Sequence, residues 1–230
     1  DLRISQISAQ PVFAGEPATF ALSLVNDSSQ PRQVVWASRA DDADVTDVPA
    51  AGRANVSIEQ ATQRRGWMPM ERTRIMTRYP AGLFFAWTWV EPDTRCLVYP
   101  QPEKSGPGLP RGTDRGTGKS ERGGDEEWAG LREYQPGDPS RWVAWKAVAR
   151  TGEMVTKTFA QHESERIELD YARLVELNLE TRLARLTRWV LEAERAELLY
   201  TLKLPERVIG PGHGETHAHA CLRALAEFKP

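Results

Sequence analysis

The feature that most constrains the fold is the alternation of apolar and polar residues in short runs within the first hundred residues. Residues 2–7 alternate in this way, and residues 17–25 do so again with Phe20, Leu22 and Leu24 on one face. Further strand candidates are residues 32–37, 54–60, 70–77, 84–90 and 95–99. Short strands at fairly even spacing, without a helical period between them, predict an immunoglobulin-like β-sandwich domain over residues 1–100.

The composition limits the classes of partner. The chain has 230 residues and a formal net charge of −2, so its overall charge does not favour nucleic acid. No apolar stretch reaches the roughly 20 residues that a membrane helix needs, and the longest run, 83–90, is predicted to be a buried strand. The chain opens at Asp1, within a strand-like pattern and without Met, which predicts a segment excised from a longer protein and leaves a membrane anchor outside it open.

Residues 101–124 are rich in Pro, Gly and Ser and show no period, so they are predicted to form a flexible linker or loop between two domains. Within them, residues 116–120 read Gly-Thr-Gly-Lys-Ser and invite comparison with a phosphate-binding loop. That motif needs glycine five residues before its second glycine, where this chain has Thr113. We therefore interpret the segment as linker.

Helical periodicity in residues 125–230 predicts a small α/β domain. Asp138-Pro139 has the form of a helix start and Gly152 of a stop, which predicts a helix over residues 140–150. A strand pair at 154–159 and 166–170, a helix at 180–196, a strand at 197–204 and a helix at 215–228 follow. The helix at 180–196 is expected to bury one stripe, made of Leu183, Leu186, Val190 and Ala193.

Two further groups of side chains invite a functional interpretation. His213, His217, His219 and Cys221 have ligand chemistry, but His217 and His219 point about 200° apart on a helix, so no metal site is predicted. Arg182, Arg185 and Arg188 recur every three residues opposite the apolar stripe. We interpret this arginine row as a solvated helix face, with a docking surface for an acidic partner as the alternative.

The densest group of charged and aromatic residues lies at 128–150. Its candidate interaction residues are Arg132, Glu133, Tyr134, Asp138, Arg141, Trp145, Lys146 and Arg150. Buried charges need partners, so these side chains either form an internal ion-pair network or meet a ligand outside the chain. Both readings stay open: a network that locks the turn at 135–138, or a cationic, aromatic-rimmed groove for an acidic peptide or phosphate.

The same segment carries a family resemblance. It begins Trp128-Ala129-Gly130-Leu131-Arg132-Glu133-Tyr134-Gln135-Pro136-Gly137-Asp138 and is followed by Arg141, Trp145-Lys146 and Ala149-Arg150-Thr151-Gly152. This pattern closely resembles the signature of a bacterial family known as domain of unknown function 58. Residues 65–66, 79–84, 97–100, 183–191 and 202–205 resemble the family as well.

The resemblance implies a fold and a cellular setting. Members of that family typically carry two membrane helices ahead of the soluble part, and their C-terminal half is often related to von Willebrand factor A-like domains. Their genes commonly neighbour those of MoxR-type AAA+ ATPases, which implies such an ATPase as partner and the cytoplasmic face of the bacterial inner membrane as location. The Mg²⁺-binding pattern of von Willebrand A-like domains, Asp-x-Ser-x-Ser, corresponds here to residues 170–174, where Ala172 and Leu174 replace both serines. A truncated, metal-free version of that domain is therefore expected.

These observations predict a non-catalytic protein-interaction module without cofactor, metal or nucleic-acid partner. No His, Ser or Cys within the motif forms an obvious nucleophile–base pair. Two alternatives remain: a hydrolase or nucleotide-dependent enzyme that uses Glu133 and Asp138 for acid–base chemistry, and a purely structural domain.

Overall fold

The structure is a computed structural model that describes residues 2–39, 42–79, 81–110, 127–134, 143–152, 154–160 and 166–229. Its fold is mostly β-sheet, arranged in several sheets. Contacts between Cα atoms divide the chain into two compact units, one made of Asp1–Arg111 with Ile167–Pro230 and the other of Gly112–Arg166. The sequence placed the divisions differently, at 1–100, 101–124 and 125–230, because composition shows where a pattern changes but not which segments pack together.

The first unit begins with ten strands. They are β1 Leu2–Ala9, β2 Val12–Phe13, β3 Ala18–Asn26, β4 Arg32–Arg39, β5 Asp42–Val48, β6 Arg53–Gln60, β7 Gly66–Pro69, β8 Thr73–Thr77, β9 Ala86–Val90 and β10 Arg95–Tyr99. They form three sheets, with the strand orders β1-β3-β6, β5-β4-β8-β9 and β2-β10-β7.

In the sheets β1-β3-β6 and β5-β4-β8-β9, alternate apolar side chains face a common core, as the sequence predicted. Phe20, Leu22 and Leu24 of β3 are buried in one hydrophobic core with Val35 of β4 and Ile75 of β8. Because side chains on a strand alternate between its two faces, one face of each sheet supplies this core. The β-rich character predicted for residues 1–100 is confirmed.

Two details of that prediction were wrong. The run 83–90 is not a buried strand, since β9 begins only at Ala86 and Leu83 is 78% exposed. Strand β5 was not predicted, because its charged sequence, Asp-Ala-Asp-Val-Thr-Asp-Val, has little apolar content outside Val45 and Val48. Its carboxylates accept hydrogen bonds from the backbone of β6. Asp44 accepts the Ser57 N–H at 2.8 Å, and Asp42 accepts the Glu59 N–H at 2.7 Å.

Residues 166–229 complete this unit with a second core. A 3₁₀ turn, Tyr171–Leu174, follows strand β13 (Ile167–Asp170), and the hairpin β14 (Tyr200–Leu204) and β15 (Arg207–Gly212) joins β13 in one sheet. Helices α2, Leu179–Arg195, and α3, Glu215–Glu227, pack against it. The predicted stripe of α2 is confirmed, because Leu183, Leu186, Val190 and Ala193 are all fully buried.

Strand β10 takes part in both cores. Its residues Cys96 to Tyr99 are all buried, with Cys96 in the core of the first two sheets and Leu97 and Tyr99 in the core of α2 and α3. A strand buried on both faces reads as a continuous apolar run, which is the pattern Cys-Leu-Val-Tyr. This strand joins the N-terminal sheets and the C-terminal layer into one unit.

Polar contacts reinforce that junction. The Tyr99 hydroxyl lies 2.5 Å from His219 Nδ1 on α3, and the Trp67 indole of β7 donates to Glu227 at 2.9 Å. The hydrogen bond from Trp67 is the main cause that lowers the pKa of the Glu227 carboxyl. Arg65 donates to the Phe228 carbonyl at 2.9 Å and pairs with Glu180 at the start of α2.

The arginine row of α2 is not a solvated face, which corrects the sequence interpretation. Arg185 binds both carboxylate oxygens of Glu103 at 2.9 Å, and these two side chains are only 16% and 17% exposed. Arg188 pairs with Glu192 at 3.0 Å and donates to the carbonyl of Gly106 at 3.0 Å. The side chain of Arg182 turns back to the carbonyl of Leu177 at 2.7 Å.

These bonds also bear on the predicted linker at 101–124. Residues 101–110 form no helix or strand, yet Glu103 and the Gly106 carbonyl are held by α2. The N–H of Glu103 additionally donates to the Ala184 carbonyl at 3.0 Å. The first part of the linker is therefore anchored, whereas residues 111–124 lie outside the described residues.

The second unit contains strand β11 (Glu127–Glu133), helix α1 (Trp145–Thr151) and strand β12 (Val155–Ala160). Strands β11 and β12 pair antiparallel. The sequence instead paired residues 154–159 with 166–170, which is wrong because β13 pairs in parallel with β14. Helix α1 starts later than predicted, since Val143 forms a β-bridge with Thr156, but the predicted stop at Gly152 is confirmed by its left-handed conformation.

We predict that Leu97→Ala lowers the free energy of unfolding by about 2 to 5 kcal/mol, because it removes a side chain from a packed core. Urea unfolding followed by far-UV circular dichroism measures the change. Leu83→Ala is the matched control, since Leu83 is exposed, and is expected to change stability by less than about 0.5 kcal/mol. Equal losses in both variants would contradict the burial assigned to the two leucines.

We also predict that Glu103→Gln destabilises the protein by about 1 to 2 kcal/mol at pH 7. The hydrogen bond from Arg185 holds the pKa of the Glu103 carboxyl below its ordinary value of 4.5. Folding lowers the pKa of this carboxyl, so the ionised group stabilises the folded protein at any pH above the pKa of the unfolded state. This stabilisation is lost as the pH falls through the pKa of the folded state. The difference between wild type and variant should therefore shrink below about pH 4.5, when urea unfolding is repeated across a pH series.

Glu206→Gln is the control for that series, because Glu206 lies in the exposed turn after β14. It is expected to leave stability within about 0.5 kcal/mol at every pH. A loss for Glu103→Gln that does not change with pH would contradict the role given to the ionised carboxylate.

Candidate functional site

The motif residues described by the structure lie on the hairpin and helix of the second unit. In β11, Arg132 is opposite Thr156 of β12 and Glu133 is opposite Val155. The next residue, Tyr134, is half-buried, and its N–H donates to the Met154 carbonyl at 2.9 Å. The antiparallel register therefore fixes where the backbone of this part of the motif lies.

Helix α1 is fastened to the hairpin by the two residues ahead of it. Val143 and Ala144 are buried, and the Ala144 N–H donates to the Val155 carbonyl at 2.9 Å. The sequence forms a helix only from Trp145 onwards, because Val143 is already committed to its bridge with Thr156. This bridge sets the start of the helix and so decides which side chains face outwards.

The outward side chains of α1 form one surface, which we call the α1 face and define as Trp145, Lys146, Ala149 and Arg150. All four are exposed, and Trp145 retains 60% of its accessible surface. Residues four apart on a helix are neighbours, so Trp145 lies beside Ala149 and Lys146 beside Arg150. The face therefore presents one indole ring and two cations, whereas Ala147 and Val148 are half-buried.

The structure brings only part of the predicted site together. Trp145, Lys146 and Arg150 share the α1 face, while Glu133 is exposed at the end of β11. Asp138 and Arg141 lie outside the described residues, as does the side chain of Arg132. The proposed turn network at 135–138 is therefore not tested by any described contact.

A cavity lies among the strands of the first unit. A cavity of about 730 Å³ opens between β1 and β9, lined mainly by apolar side chains such as Leu24, Val35 and Ile75. No carboxylate, histidine or cysteine is among its lining residues. Paired carboxylates for acid–base chemistry are thus not part of this cavity.

The two thiols are unsuited to nucleophilic chemistry. Cys96 and Cys221 are fully buried. Burial raises the pKa of the Cys221 thiol to about 12, and it also raises that of Cys96. Since the thiolate is the reactive form and burial disfavours it, both sulfurs have the environment of structural cysteines.

The candidate metal ligands are engaged within the fold. His219 meets the Tyr99 hydroxyl, and His217 Nε2 lies 3.1 Å from the Tyr200 carbonyl oxygen. Asp170 accepts the Ala172 N–H at 2.9 Å and so caps the 3₁₀ turn after β13. Among the residues described, no group of three or more His, Cys, Asp or Glu side chains is placed to hold a metal ion.

A second exposed surface was missed by the sequence reasoning. We call it the aromatic hairpin, formed by β8, β9 and the connection 78–85 between them. Its exposed bulky side chains are Tyr79, Leu83, Phe84, Phe85, Trp87 and Trp89. The sequence signal was Gly82, a turn residue just before the run 83–90. In the structure Ala81 and Gly82 both adopt positive φ angles, 51° and 69°.

No protein-family model, curated protein or solved structure matches the chain significantly. None of the helices described in the structure is long and apolar enough to cross a membrane. The fold of the described residues is therefore stated from the structure alone, as a β-rich fold with several sheets. The family resemblance of residues 128–152 stays a prediction.

We predict that Trp145→Ser and Lys146→Glu leave the second unit folded, because both side chains are exposed on the α1 face. Amide hydrogen exchange of β11 and β12 measures the stability of this unit directly. Val143→Ala is the control and should accelerate exchange, because Val143 is buried. Faster exchange in Trp145→Ser and Lys146→Glu as well would favour a purely structural role.

Proposed function

We propose that this chain is a non-catalytic protein-interaction module whose contact surface is the α1 face. The observation that carries the proposal is the joint exposure of Trp145, Lys146 and Arg150 on one short helix. Tryptophan and arginine are enriched among the residues that contribute most to protein interfaces. An exposed tryptophan on the same helix face as two cations is a combination typical of contact surfaces, which favours a binding role over a scaffolding one.

The charge of the α1 face indicates an acidic partner. Lys146 and Arg150 lie one helical turn apart, and the described part of the face contains no acidic residue. Arginine can bind a carboxylate with two parallel hydrogen bonds, and its plane can stack on an aromatic ring. An acidic peptide segment or helix that also supplies an apolar side chain for Trp145 fits these groups.

The family resemblance supplies the candidate partner and setting for this module. A MoxR-type AAA+ ATPase is the partner it implies, in assembly or chaperone-like work at the cytoplasmic face of a bacterial inner membrane. An N-terminal anchor outside this chain would hold the module there. The finer fold assignment belongs to the same proposal: an immunoglobulin-like sandwich followed by a truncated von Willebrand A-like unit, supported by the parallel pair β13–β14 with its two helices.

The test is a binding measurement between this chain and a MoxR-type ATPase whose gene lies beside that of a member of the resembled family. We predict that Lys146→Glu combined with Arg150→Glu weakens binding at least tenfold by calorimetry, because both substitutions reverse charge on the α1 face. Arg53→Glu, on the exposed side of β6, is the matched control and should bind as wild type.

Trp145→Ser separates the apolar contribution from the charges and should also weaken binding about tenfold or more. Unchanged affinity in all three α1 substitutions, with hydrogen exchange showing an intact hairpin, would contradict the α1 face as the contact site. Turnover of a phosphate or ester substrate that is lost in Glu133→Gln would instead favour the enzymatic alternative.

A further inference from the structure

The aromatic hairpin carries the most exposed apolar side chains among the described residues. Leu83 and Phe84 are 78% and 77% exposed, and they are consecutive residues at the tip of the connection between β8 and β9. The tip is shaped by a turn in which the Gly82 N–H donates to the Arg78 carbonyl at 2.9 Å. This turn presents two adjacent hydrocarbon side chains to the surroundings.

A second layer of side chains lies just behind the tip. Tyr79 and Phe85 are both about half exposed, and the guanidinium of Arg78 stacks 5.2 Å from the centre of the Phe85 ring. Trp87 follows on β9, directly opposite Met76 of β8. Tyr79, Trp87 and Arg78 combine an apolar body with a polar or cationic end, unlike Leu83, Phe84 and Phe85.

A third layer, further from the tip, is richer in arginine. Trp89 lies opposite Arg74, and its ring also has the Arg72 guanidinium 4.5 Å from its centre. Trp87 and Trp89 project from the same face of β9 and meet edge to face, with ring centres 6.5 Å apart. Trp89 lies three residues after Ala86, the first residue of β9, which corresponds to about 10 Å along the strand.

This gradient matches the depth profile of a lipid bilayer surface. Aliphatic and Phe side chains favour the hydrocarbon, Trp and Tyr favour the interface, and arginine favours anionic headgroups. Peripheral proteins bury such apolar groups about 5 to 10 Å below the headgroup boundary. Arg78, directly after β8, is the arginine nearest to the tip, and Arg74 and Arg72 lie further back along the hairpin.

We propose that the aromatic hairpin inserts its tip, Leu83 and Phe84, into the surface of a bilayer that contains anionic lipids. Arg78 then lies at the level of the headgroups, and Arg72 and Arg74 lie further out, where the negative surface potential attracts them. A nucleic acid would place the cations foremost and leave Leu83 and Phe84 in water. A protein pocket would explain the apolar tip, but the three arginines over the neighbouring aromatic rings favour an anionic surface. The inference rests on residues other than the α1 face.

Sedimentation with lipid vesicles tests the proposal on the full 230-residue chain. We expect binding to vesicles of phosphatidylcholine mixed with phosphatidylglycerol, and weaker binding to phosphatidylcholine alone. The double variant Leu83→Ser, Phe84→Ser should lower the partition coefficient at least tenfold, because it removes two side chains that would leave water. Val175→Ser combined with Val208→Ser is the matched control, since both valines are exposed elsewhere, and should bind as wild type.

The arginines are tested separately. Arg72→Gln combined with Arg78→Gln should weaken binding to the anionic vesicles about fivefold per residue and flatten its dependence on salt. The same variant should leave binding to phosphatidylcholine alone unchanged. Arg53→Gln, an exposed arginine of β6, is the control for the loss of positive charge.

Absence of wild-type binding to the anionic vesicles would overturn the proposal and favour a protein as the occupant of the hairpin. Binding that survives Leu83→Ser, Phe84→Ser would overturn it as well, because another surface would then be responsible. Circular dichroism verifies that the variants are folded. Lys146→Glu with Arg150→Glu should retain vesicle binding, so failure of this inference and failure of the proposed protein contact are distinguishable.

Discussion

The architecture of the first unit depends on the burial of β10 on both of its faces. Cys96 belongs to the core of the N-terminal sheets, whereas Leu97 and Tyr99 belong to the core shared with α2 and α3. An antiparallel strand at the surface of a sandwich would expose one face, but the C-terminal helices cover that face here. Segments distant in sequence therefore fold as one unit, because neither could bury its side of β10 alone.

Charged residues serve two different purposes in this chain, and the difference is decided by their partners. Arg185 and Arg188 form ion pairs with Glu103 and Glu192, and Arg188 also donates to a backbone carbonyl. These bonds hold residues 101–110 against α2. Lys146 and Arg150 extend from a short helix that buries only its other side. Arg72 and Arg78 stack on exposed aromatic rings. The arginines of α2 are structural ties, whereas the cations of the α1 face and of the aromatic hairpin are candidate contacts.

Much of the fold could be predicted from local pattern, and the failures have physical causes. The bounds of β10 and the buried stripe of α2 were predicted because their periods are strong and uninterrupted. Strand β5 was missed because its carboxylates bond to neighbouring backbone amides, a partner that no periodicity reveals. The helix after the motif was predicted too long because Val143 pairs with Thr156 across the hairpin, and a strand bridge overrides helix propensity. Within the candidate site, the sequence named Trp145, Lys146 and Arg150, but it could not tell whether they were exposed.

The sequence by itself determined the β-rich character of residues 1–100, the amphipathic helices of the C-terminal part and the concentration of aromatic and cationic residues at 128–150, because each is a property of neighbours along the chain. Tertiary structure alone decided whether an apolar or charged group is covered. The run 83–90 looks like a core strand in sequence yet is exposed, and the arginine row of α2 looks solvated yet is bonded. The reason is that burial depends on which distant segment packs against a residue, and alternation reports only on which side that residue points.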